Sequence, residues 1–206
     1  AVTLPKSMTY EEGAALPVNY LTAYQMAYET ARLRPGDKVL IHMAAGGVGT
    51  AMLQLCKAIG QIETFGTASA SKHTAIKAQG CDHPIDYHTE DYVQGVRSIA
   101  KDGIDFVFDA LGGDDWAKGH PLLRGGGQLV KFGLANSNKG AGGRKLFHVA
   151  KQLWNIPKFK AMDLLNTNRG VSGTNMGTMW HRTDVMQRAF AKLLSLHEQG
   201  FVKPVI

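Results

Sequence analysis

Cysteine is scarce in this sequence, with two residues among 206, Cys56 and Cys81. One falls in a predicted helix and the other at the start of a predicted strand, which excludes a disulfide-rich scaffold and favours a reducing compartment. Long apolar runs are also absent, so the sequence contains no candidate membrane-spanning helix. The length and the 44% apolar content are instead typical of a globular domain with a sizeable core.

The signature motifs of several enzyme classes are missing. No G-x-x-x-x-G-K-[ST] loop is present, which argues against nucleoside triphosphate hydrolysis, and no G-x-S-x-G elbow is present for a serine nucleophile. The cysteines form no cluster of the kind that holds structural zinc. His83 and His88 are not paired with cysteine at ligand spacing either, and no metal site is predicted.

Acidic residues are absent from 116–162, although this segment holds nine basic residues: Lys118, Arg124, Lys131, Lys139, Arg144, Lys145, Lys151, Lys158 and Lys160. The formal net charge is +6, so the rest of the chain sums to 6 − 9 = −3. Leu146, Leu153 and Trp154 fall on one helical face within this segment. Either 144–160 contacts an anionic membrane or an acidic partner, or these side chains pack on the core, on a second copy of the chain or on another domain; we favour packing. Nucleic-acid binding is not expected, because the basic residues are not interleaved with stacking aromatics.

Short apolar runs alternate with helical patterns along the chain. Strands are predicted at 38–43, 62–67, 81–86, 104–110, 128–132 and 170–174, and helices at 48–58, 72–79, 91–100, 114–123 and 184–199. This alternation predicts an α/β fold with parallel strands and right-handed crossovers. Six strands correspond to a complete, doubly wound Rossmann sheet. A helix capped by Thr9 and Glu12 precedes it, and Pro17 breaks or restarts that helix.

A glycine-rich turn, AAGGVG at 44–49, follows the first predicted strand. It fits the G-x-G-x-x-G pattern with Ala44 in the first position. Gly46 then lets the backbone approach a pyrophosphate, and Gly49 lets the helix lie close to the strand. The free N–H groups of that helix would face the phosphates. A tight turn without a ligand is the alternative, and the position after the first strand disfavours it.

The second strand indicates which dinucleotide is bound. NAD-preferring sites place an acidic residue about 20 residues after the glycines, but none occurs from 64 to 81, and Asp82 comes too late. Ser69, Ser71 and Lys72 stand there instead, and hydroxyls with a cation suit a 2′-phosphate. We therefore predict NADP(H). In the alternative interpretation, Ser71 caps a helix and Lys72 is solvated.

Several motifs resemble one enzyme family in their residues and their order: AALPVNYLTAY, HMAAGGVG, FGTASASKH, HPIDYHTEDYV, GIDFVFDALGG and VKFGLAN. They are similar to zinc-independent medium-chain dehydrogenases/reductases of the quinone oxidoreductase type, and within that family to the vesicle amine transport protein subgroup. The resemblance covers nearly the whole chain. It implies hydride transfer from NADPH to a quinone or an activated C=C bond, and a homodimer. It also implies that a catalytic β-barrel domain is missing from this chain.

The resemblance also implies site residues by position. Asn19 and Thr22 correspond to the nicotinamide end, where they would position cofactor and substrate. The remaining cofactor contacts would come from Gly46, Gly47, Val48, Gly49, Ser69, Ser71, Lys72, Tyr87, Leu111, Gly112, Phe132 and Gly133. Each has a simpler alternative: Thr22 can bond a helix carbonyl, and Tyr87 can leave its hydroxyl in water. We interpret Asp109 as structural and expect His42 to be packed or at the cleft rim.

The chain is expected to divide into three parts. Residues 1–36 form a helical lead-in from the missing catalytic domain, 37–200 form the dinucleotide-binding domain with a basic helical insertion at about 136–168, and 201–206 begin the return to the catalytic domain. We expect a cytoplasmic enzyme. The alternative is a nucleotide-binding protein that acts at a membrane or with a partner and whose catalysis is weak or lost.

Overall fold

Six parallel strands form one sheet in the computed structural model, which describes residues 2–135 and 157–206. They are β1 (Lys38–Ile41), β2 (Glu63–Ala68), β3 (His83–Asp86), β4 (Ile104–Asp109), β5 (Leu123–Lys131) and β6 (Gly170–Gly173). Their order across the sheet is β3-β2-β1-β4-β5-β6. The chain thus winds outward from β1 in one direction and outward from β4 in the other, which confirms the predicted doubly wound Rossmann sheet.

Both faces of the sheet are covered, which explains why its strands are apolar runs and not alternating patterns. In β1, Val39 and Ile41 belong to one hydrophobic cluster and Leu40 to the other. Neighbouring side chains of a strand point to opposite faces. The core therefore consists of two layers, one on each side of the sheet.

The helices supply the other half of each layer. They are α1 (Tyr10–Ala15), α2 (Leu21–Tyr24), α3 (Gly47–Ile59), α4 (His73–Ala78), α5 (Tyr92–Ile99), α6 (Asp114–Gly119), α7 (Ala161–Thr167) and α8 (Thr183–Glu198). Met52 of α3 and Leu193 of α8 lie in the first cluster. Val96 of α5 and Trp116 of α6 lie in the second. Helices therefore flank both faces, as the predicted crossovers require.

The helical lead-in begins with the predicted capping box. The Thr9 hydroxyl accepts a hydrogen bond from the Glu12 N–H at 3.2 Å, and the Glu12 carboxylate accepts one from the Thr9 N–H at 2.9 Å. Pro17 restarts the helix, in π-helical form, over Leu16–Tyr20. Helix α2 and a second π-helical segment, Gln25–Thr30, follow. Proline is tolerated at the start of such a segment because its missing N–H is not needed there.

Both ends of the chain pack against α3. Leu16 and Met26 of the lead-in are fully buried in the cluster that contains α3. The Tyr20 hydroxyl donates to the Gln54 side chain at 2.8 Å, and the Gln54 amide donates to the Lys203 carbonyl at 2.8 Å. One glutamine of α3 thus ties the lead-in to the C-terminal segment. The division of these ends from the central domain stays a prediction.

The largest difference between predicted and observed elements is at β5. The strand begins at Leu123, five residues before the predicted 128–132. Glycines 125–127 lie inside it, with Gly126 at φ +87°, and the register against β4 shifts nearby. A glycine run is typical of a turn in sequence but forms an irregular strand start here. The helix predicted over 114–123 therefore ends at Gly119, and a 3₁₀ turn, His120–Leu122, leads into β5.

Residues 136–156, most of the predicted insertion at 136–168, lie outside the described residues. The predicted apolar face with Leu146, Leu153 and Trp154 falls in this part. Helix α7 occupies the end of the predicted insertion, and its Leu165 is exposed. Among the described residues, no helix has the length and apolar character needed to span a bilayer.

Candidate functional site

Three glycines, Gly46, Gly47 and Gly49, stand where β1 leads into α3, and a Cβ atom at each of them would meet close neighbours. A Cβ atom on Gly49 would lie 2.7 Å from the Cα atom of Ala44, and one on Gly46 would lie 3.2 Å from the Met43 carbonyl oxygen. Helix α3 is 13 residues long, and no side chain caps its N-terminus. Its first N–H groups lack intrahelical acceptors. An anion at this helix end would be stabilised by those donors and by the helix dipole.

The lead-in places a side-chain amide directly over this turn. Asn19 belongs to the first π-helical segment, and a Cβ atom on Gly47 would lie 2.6 Å from its Cγ. Gly47 therefore has to be glycine for Asn19 to lie there. Thr22, the second residue predicted at the nicotinamide end, is buried and donates its hydroxyl to the Val18 carbonyl at 2.7 Å. This hydrogen bond to a helix carbonyl is the alternative role expected for Thr22. A contact between Thr22 and the nicotinamide stays a prediction.

A cavity of about 450 Å³ opens beside the turn. It brings together seven of the sequence-predicted site residues: Asn19, Gly46, Gly47, Val48, Gly49, Phe132 and Gly133. They come from the lead-in, the turn after β1 and the loop after β5. These loops meet because the carboxyl ends of parallel strands lie at one edge of the sheet, which is where open α/β sheets bind ligands.

A second cavity of about 640 Å³ adjoins the first and shares three lining residues with it, His42, Met43 and Ala135. Two predicted residues, Tyr87 and Leu111, line it. Tyr87 is exposed over 53% of its surface, so its ring is accessible to a ligand. The cavity is also lined by residues that the sequence did not single out, including Thr67, Glu90, Asp91, Tyr92, Asp115 and Lys118.

Met43 is a site residue that sequence reasoning missed. It lines both cavities and adopts a left-handed backbone conformation with φ 55°. Thr67 of β2 stabilises this conformation: its hydroxyl accepts from the Met43 N–H at 3.2 Å, and its carbonyl accepts from the Ala44 N–H at 3.0 Å. Strand β1 ends at Ile41, two residues before the predicted end at 43, because the left-handed conformation of Met43 interrupts the extended backbone. Nothing in the sequence signals it, since glycine and asparagine are the usual residues in this conformation.

The predicted 2′-phosphate residues lie just after β2. Ser69 precedes a 3₁₀ turn, Ala70–Lys72, and its hydroxyl lies 3.3 Å from the hydroxyl of Ser71. Ser71 and Lys72 are exposed, and α4 begins after Lys72 without a side-chain cap. The alternative role of Ser71 as a helix cap is therefore not found. Asp82, the first acid after β2, accepts from the Thr64 N–H near the opposite end of that strand.

The loops after β4 and β5 pack closely on each other. A Cβ atom on Gly133 would lie 2.8 Å from the Ala110 carbonyl oxygen, and one on Gly112, which has φ +81°, would lie 2.7 Å from the Cδ2 atom of Leu134. The Ala135 N–H donates to the Ala110 carbonyl at 2.9 Å. The predicted residues Gly112 and Gly133 thus give the shape of the cleft floor, and their contact with a cofactor stays a prediction.

A buried polar pair lies beneath these loops. The side chains of His42 and Asp109 are fully buried, with His42 Nε2 3.9 Å from Asp109 Oδ2. Asp109 Oδ1 accepts from the N–H groups of Leu111 (2.6 Å) and Gly112 (3.0 Å), and His42 Nδ1 lies 3.1 Å from the Thr67 hydroxyl. Asp109 therefore shapes the loop after β4, in agreement with its structural interpretation. His42 is packed, not at the rim.

Burial drives both groups of this pair toward their neutral forms. It lowers the pKa of the His42 imidazole from 6.5, and the carboxylates of Asp109 and Asp115 oppose this shift. It raises the pKa of the Asp109 carboxyl from 3.8, against the opposing effects of His42 and the two loop N–H groups. Desolvation of a charged group in a low-dielectric interior has this sign for both an acid and a base.

Within residues 2–135 and 157–206, no group of three or more histidine, cysteine, aspartate or glutamate side chains is arranged to hold a metal ion. Cys56 and Cys81 are both buried and free. The prediction that the chain uses no zinc stays a prediction, because it concerns the whole protein.

Sequence comparison shows similarity over nearly the whole chain. The profile of a family described as zinc-binding dehydrogenase matches residues 47–195. The synaptic vesicle membrane protein VAT-1 homolog of Rattus norvegicus is 47% identical over 203 residues, which are 98% of this chain and 50% of that protein. The chain thus spans about half the length of the curated relatives that it matches.

Solved structures show the same architecture. The Escherichia coli quinone oxidoreductase, complexed with NADPH, has a TM-score of 0.81 and 25% identity, covering 100% of this chain and 58% of that chain. The CurK enoyl reductase has a TM-score of 0.76 and 26% identity, covering 100% of this chain and 56% of that chain. Both structures contain a segment of similar fold to this chain together with further parts that the chain lacks.

Proposed function

The chain belongs to the zinc-binding dehydrogenase family, and from that premise we propose that it is the cofactor-binding part of an NADPH-dependent oxidoreductase. The proposed reaction is hydride transfer to a quinone or to a C=C bond activated by a carbonyl group. The observation that carries the proposal is the glycine turn: Gly46, Gly47 and Gly49 leave the uncapped N-terminus of α3 open to a cavity of about 450 Å³. A quinone oxidoreductase and an enoyl reductase among the similar structures support the reaction class.

The pyrophosphate of the cofactor would lie at the N-terminus of α3. Gly46 and Gly47 carry no side chain there, so the backbone N–H groups can approach the phosphate oxygens. Gly49 has a different role. It allows α3 to pack against the backbone of Ala44, which fixes the direction of the helix axis. The residues present therefore fit a dinucleotide in both shape and charge.

The preference for NADPH over NADH would come from the turn after β2. Lys72 supplies a cation, and Ser69 and Ser71 supply hydroxyls that lie within 3.3 Å of each other. The first carboxylate after β2, that of Asp82, bonds to Thr64 near the other end of the strand and does not compete for the ribose. A 2′-phosphate would meet no carboxylate from 64 to 81. The quinone oxidoreductase solved with NADPH supports this choice of cofactor.

When bound, the cofactor supplies the hydride, and this chain supplies position and shielding. The Asn19 amide, which lies over Gly47, would hydrogen-bond a polar group at the nicotinamide end. Phe132 and Gly133 would form the opposite wall of the same cavity. Tyr87 and Leu111 would contact the nucleotide in the adjoining cavity of about 640 Å³. We assign the substrate pocket to the part of the protein that this chain lacks.

Isothermal calorimetry of the 206-residue chain with NADPH and with NADH tests this proposal. We expect tighter binding of NADPH, and we expect Lys72→Glu to remove that preference by placing a carboxylate beside the 2′-phosphate. Lys77→Glu is the matched control, since it makes the same charge change at an exposed position of α4, the helix that follows this turn. Equal affinity of the wild-type chain for both cofactors would contradict the assignment of Lys72.

The alternative function, a nucleotide-binding protein at a membrane or with a partner, is supported by the basic segment 116–162 and by the word membrane in the names of relatives. We propose a cytoplasmic homodimer, with peripheral contact of 144–160 with an anionic membrane as the alternative. Vesicle co-sedimentation tests membrane contact through 144–160, with Lys145→Glu and Lys151→Glu as charge-reversed variants. Retention on anionic vesicles that both variants lose would favour the alternative. Sedimentation equilibrium at several concentrations tests the dimer.

A further inference from the structure

A basic cavity of about 390 Å³ lies at the edge of the sheet opposite the glycine turn. Its charged lining residues are Arg97, Lys101, Asp102 and Arg169. Arg97 is in the last turn of α5, Lys101 and Asp102 lie in the loop before β4, and Arg169 directly precedes β6. Three separate elements therefore bring three cations and one carboxylate to a single concave surface.

The backbone around this cavity is held in place by close contacts. Gly103 has φ +92°, and a Cβ atom there would lie 2.7 Å from the Leu122 carbonyl oxygen. Asn168 ends α7 in the left-handed conformation, with φ 50°, and its carbonyl accepts from the Gly126 N–H at 2.6 Å. Arg169 follows immediately, so its backbone is fixed on both sides by the end of α7 and by β6. The cavity is thus formed by ordered turns.

The three cations lack the counter-ions that neighbouring cations have. In the ranges 2–135 and 157–206, no carboxylate oxygen lies within 4.0 Å of the charged nitrogens of Arg97, Lys101 or Arg169. Arg124, on the adjoining start of β5, is by contrast paired with Asp105 at 2.6 Å. The region therefore carries an excess of positive charge that the described part of the chain does not neutralise.

One of these cations also has an unused buried donor. The Nε atom of Arg169 is buried and has no hydrogen-bond partner in the described part of the chain. The Arg169 charge reaches inward as well, because it adds to burial in lowering the pKa of His120. A buried polar group without a partner is unfavourable, and a charged one more so. An anion bound by the terminal N–H groups of Arg169 would neutralise this charge.

We propose that this cavity binds a phosphate group. Arginine presents its N–H donors in a planar fork that matches phosphate oxygens. The positive charges of Arg97 and Lys101 would stabilise the remaining negative charge of the phosphate. The group would belong either to a small phosphate ester or to a lipid headgroup, since both present the same oxygens. The inference does not depend on the cofactor proposal, because the cavity shares no residue with the glycine turn or with the turn after β2.

An NMR titration of the ¹⁵N-labelled chain with inorganic phosphate, at constant ionic strength, tests the proposal. We expect saturable shifts of the amide signals of Gly103, Leu123 and Gly170. Arg169→Gln should weaken this binding about tenfold or more, since a hydrogen bond to a charged group is lost. Arg188→Gln is the matched control, because it removes the same charge from the exposed face of α8. The phosphate affinity of this variant should stay within about twofold of wild type.

Two results would overturn the proposal. One is a set of shifts confined to the N-terminus of α3, which would mean that phosphate binds only the glycine turn. The other is equal weakening by both arginine variants, which would mean general charge screening. If phosphate binds as proposed, flotation with phosphatidylcholine vesicles, with and without phosphatidic acid, identifies the source. Retention that Arg169→Gln abolishes assigns a lipid headgroup, and no retention assigns a soluble phosphate ester.

Discussion

One polar pair, His42 and Asp109, is buried between loops at the carboxyl edge of the sheet, whereas another, Lys38 and Glu63, lies at the surface of the amino edge. His42 and Asp109 are fully buried 3.9 Å apart, and His42 Nε2 and Asp109 Oδ2 have no hydrogen-bond partner in the described part of the chain. At the amino edge, Lys38 and Glu63 pair at 2.8 Å with about a third of each side chain exposed. The first arrangement costs folding free energy, and the second is close to neutral.

The comparison teaches where this fold tolerates strain. The left-handed Met43, the incompletely bonded His42 and Asp109, and the close contact of Gly49 lie at the carboxyl edge, whereas Gly103 makes a similarly close contact at the amino edge. Unfavourable conformations of this kind are retained where the surrounding structure fixes them, and they concentrate at functional sites. The same edge carries both cavities of the candidate site, so the buried pair of His42 and Asp109 lies beside the candidate site.

The largest effect is expected from Gly49→Ala. Its Cβ atom would enter the backbone of Ala44, which cannot move without displacing β1 or α3. We expect a loss of about 2–4 kcal/mol in the free energy of unfolding. Urea denaturation measures it. Gly125→Ala is the control, because a Cβ atom there meets nothing within 4 Å; equal losses in the two variants would contradict the packing account.

The next largest effect compares the contribution to stability of buried Asp109 at the carboxyl edge with that of exposed Asp102 at the amino edge. Asp109→Ala removes the acceptor of the Leu111 and Gly112 N–H groups and the partner of His42. We expect the free energy of unfolding to fall by about 2–3 kcal/mol. Asp102→Ala removes an exposed carboxylate at the amino edge and should change it by less than about 0.5 kcal/mol. A similar small loss for Asp109→Ala would show that its hydrogen bonds contribute little to stability.

The smallest effect is a pH dependence due to His42. Its folded-state pKa is lowered from 6.5 by burial, so the unfolded chain binds a proton more readily than the folded chain. Stability from His42 is therefore fully present above pH 6.5 and decreases as the pH falls below it, by at most about 1.4 kcal/mol per pH unit.

Denaturation of the wild-type chain and of His42→Gln at pH 7.5, 6.0 and 5.0 measures this effect. The stability advantage of the wild-type chain should shrink at the lower pH values, because only the wild-type chain has an imidazole at this position that resists protonation. A constant difference across this range would mean that the pKa of His42 is the same in the folded and the unfolded chain, in contradiction to its burial.

The sequence predicts the sheet and the glycine turn because both depend on local pattern. Apolar runs between helical patterns identify all six strands, and Gly46 and Gly49 stand at the spacing of a G-x-G-x-x-G turn after the first of them. The same local reasoning misplaces the start of β5, since the glycines at 125–127 are typical of a turn and only pairing with β4 makes them part of a strand.

The buried pair could not be predicted from local pattern. His42 and Asp109 are 67 positions apart in the sequence and meet only because β1 and β4 are neighbours, with Ile41 paired to Phe108. Met43 is similar, because Thr67 of β2 holds its backbone in a conformation that methionine rarely adopts. Parts of the site that depend on contacts between distant strands therefore require the structure.

The most direct measurement of the central claim is an NMR titration of the ¹⁵N-labelled chain with NADPH. Binding at the carboxyl edge predicts saturable shifts of the Gly47, Val48 and Gly49 amides, accompanied by Ser71 and Lys72, at lower NADPH concentrations than any shifts of Gly103 and Gly170. Shifts at Gly103 and Gly170 without any at the glycine turn would place NADPH at the amino edge and contradict the account.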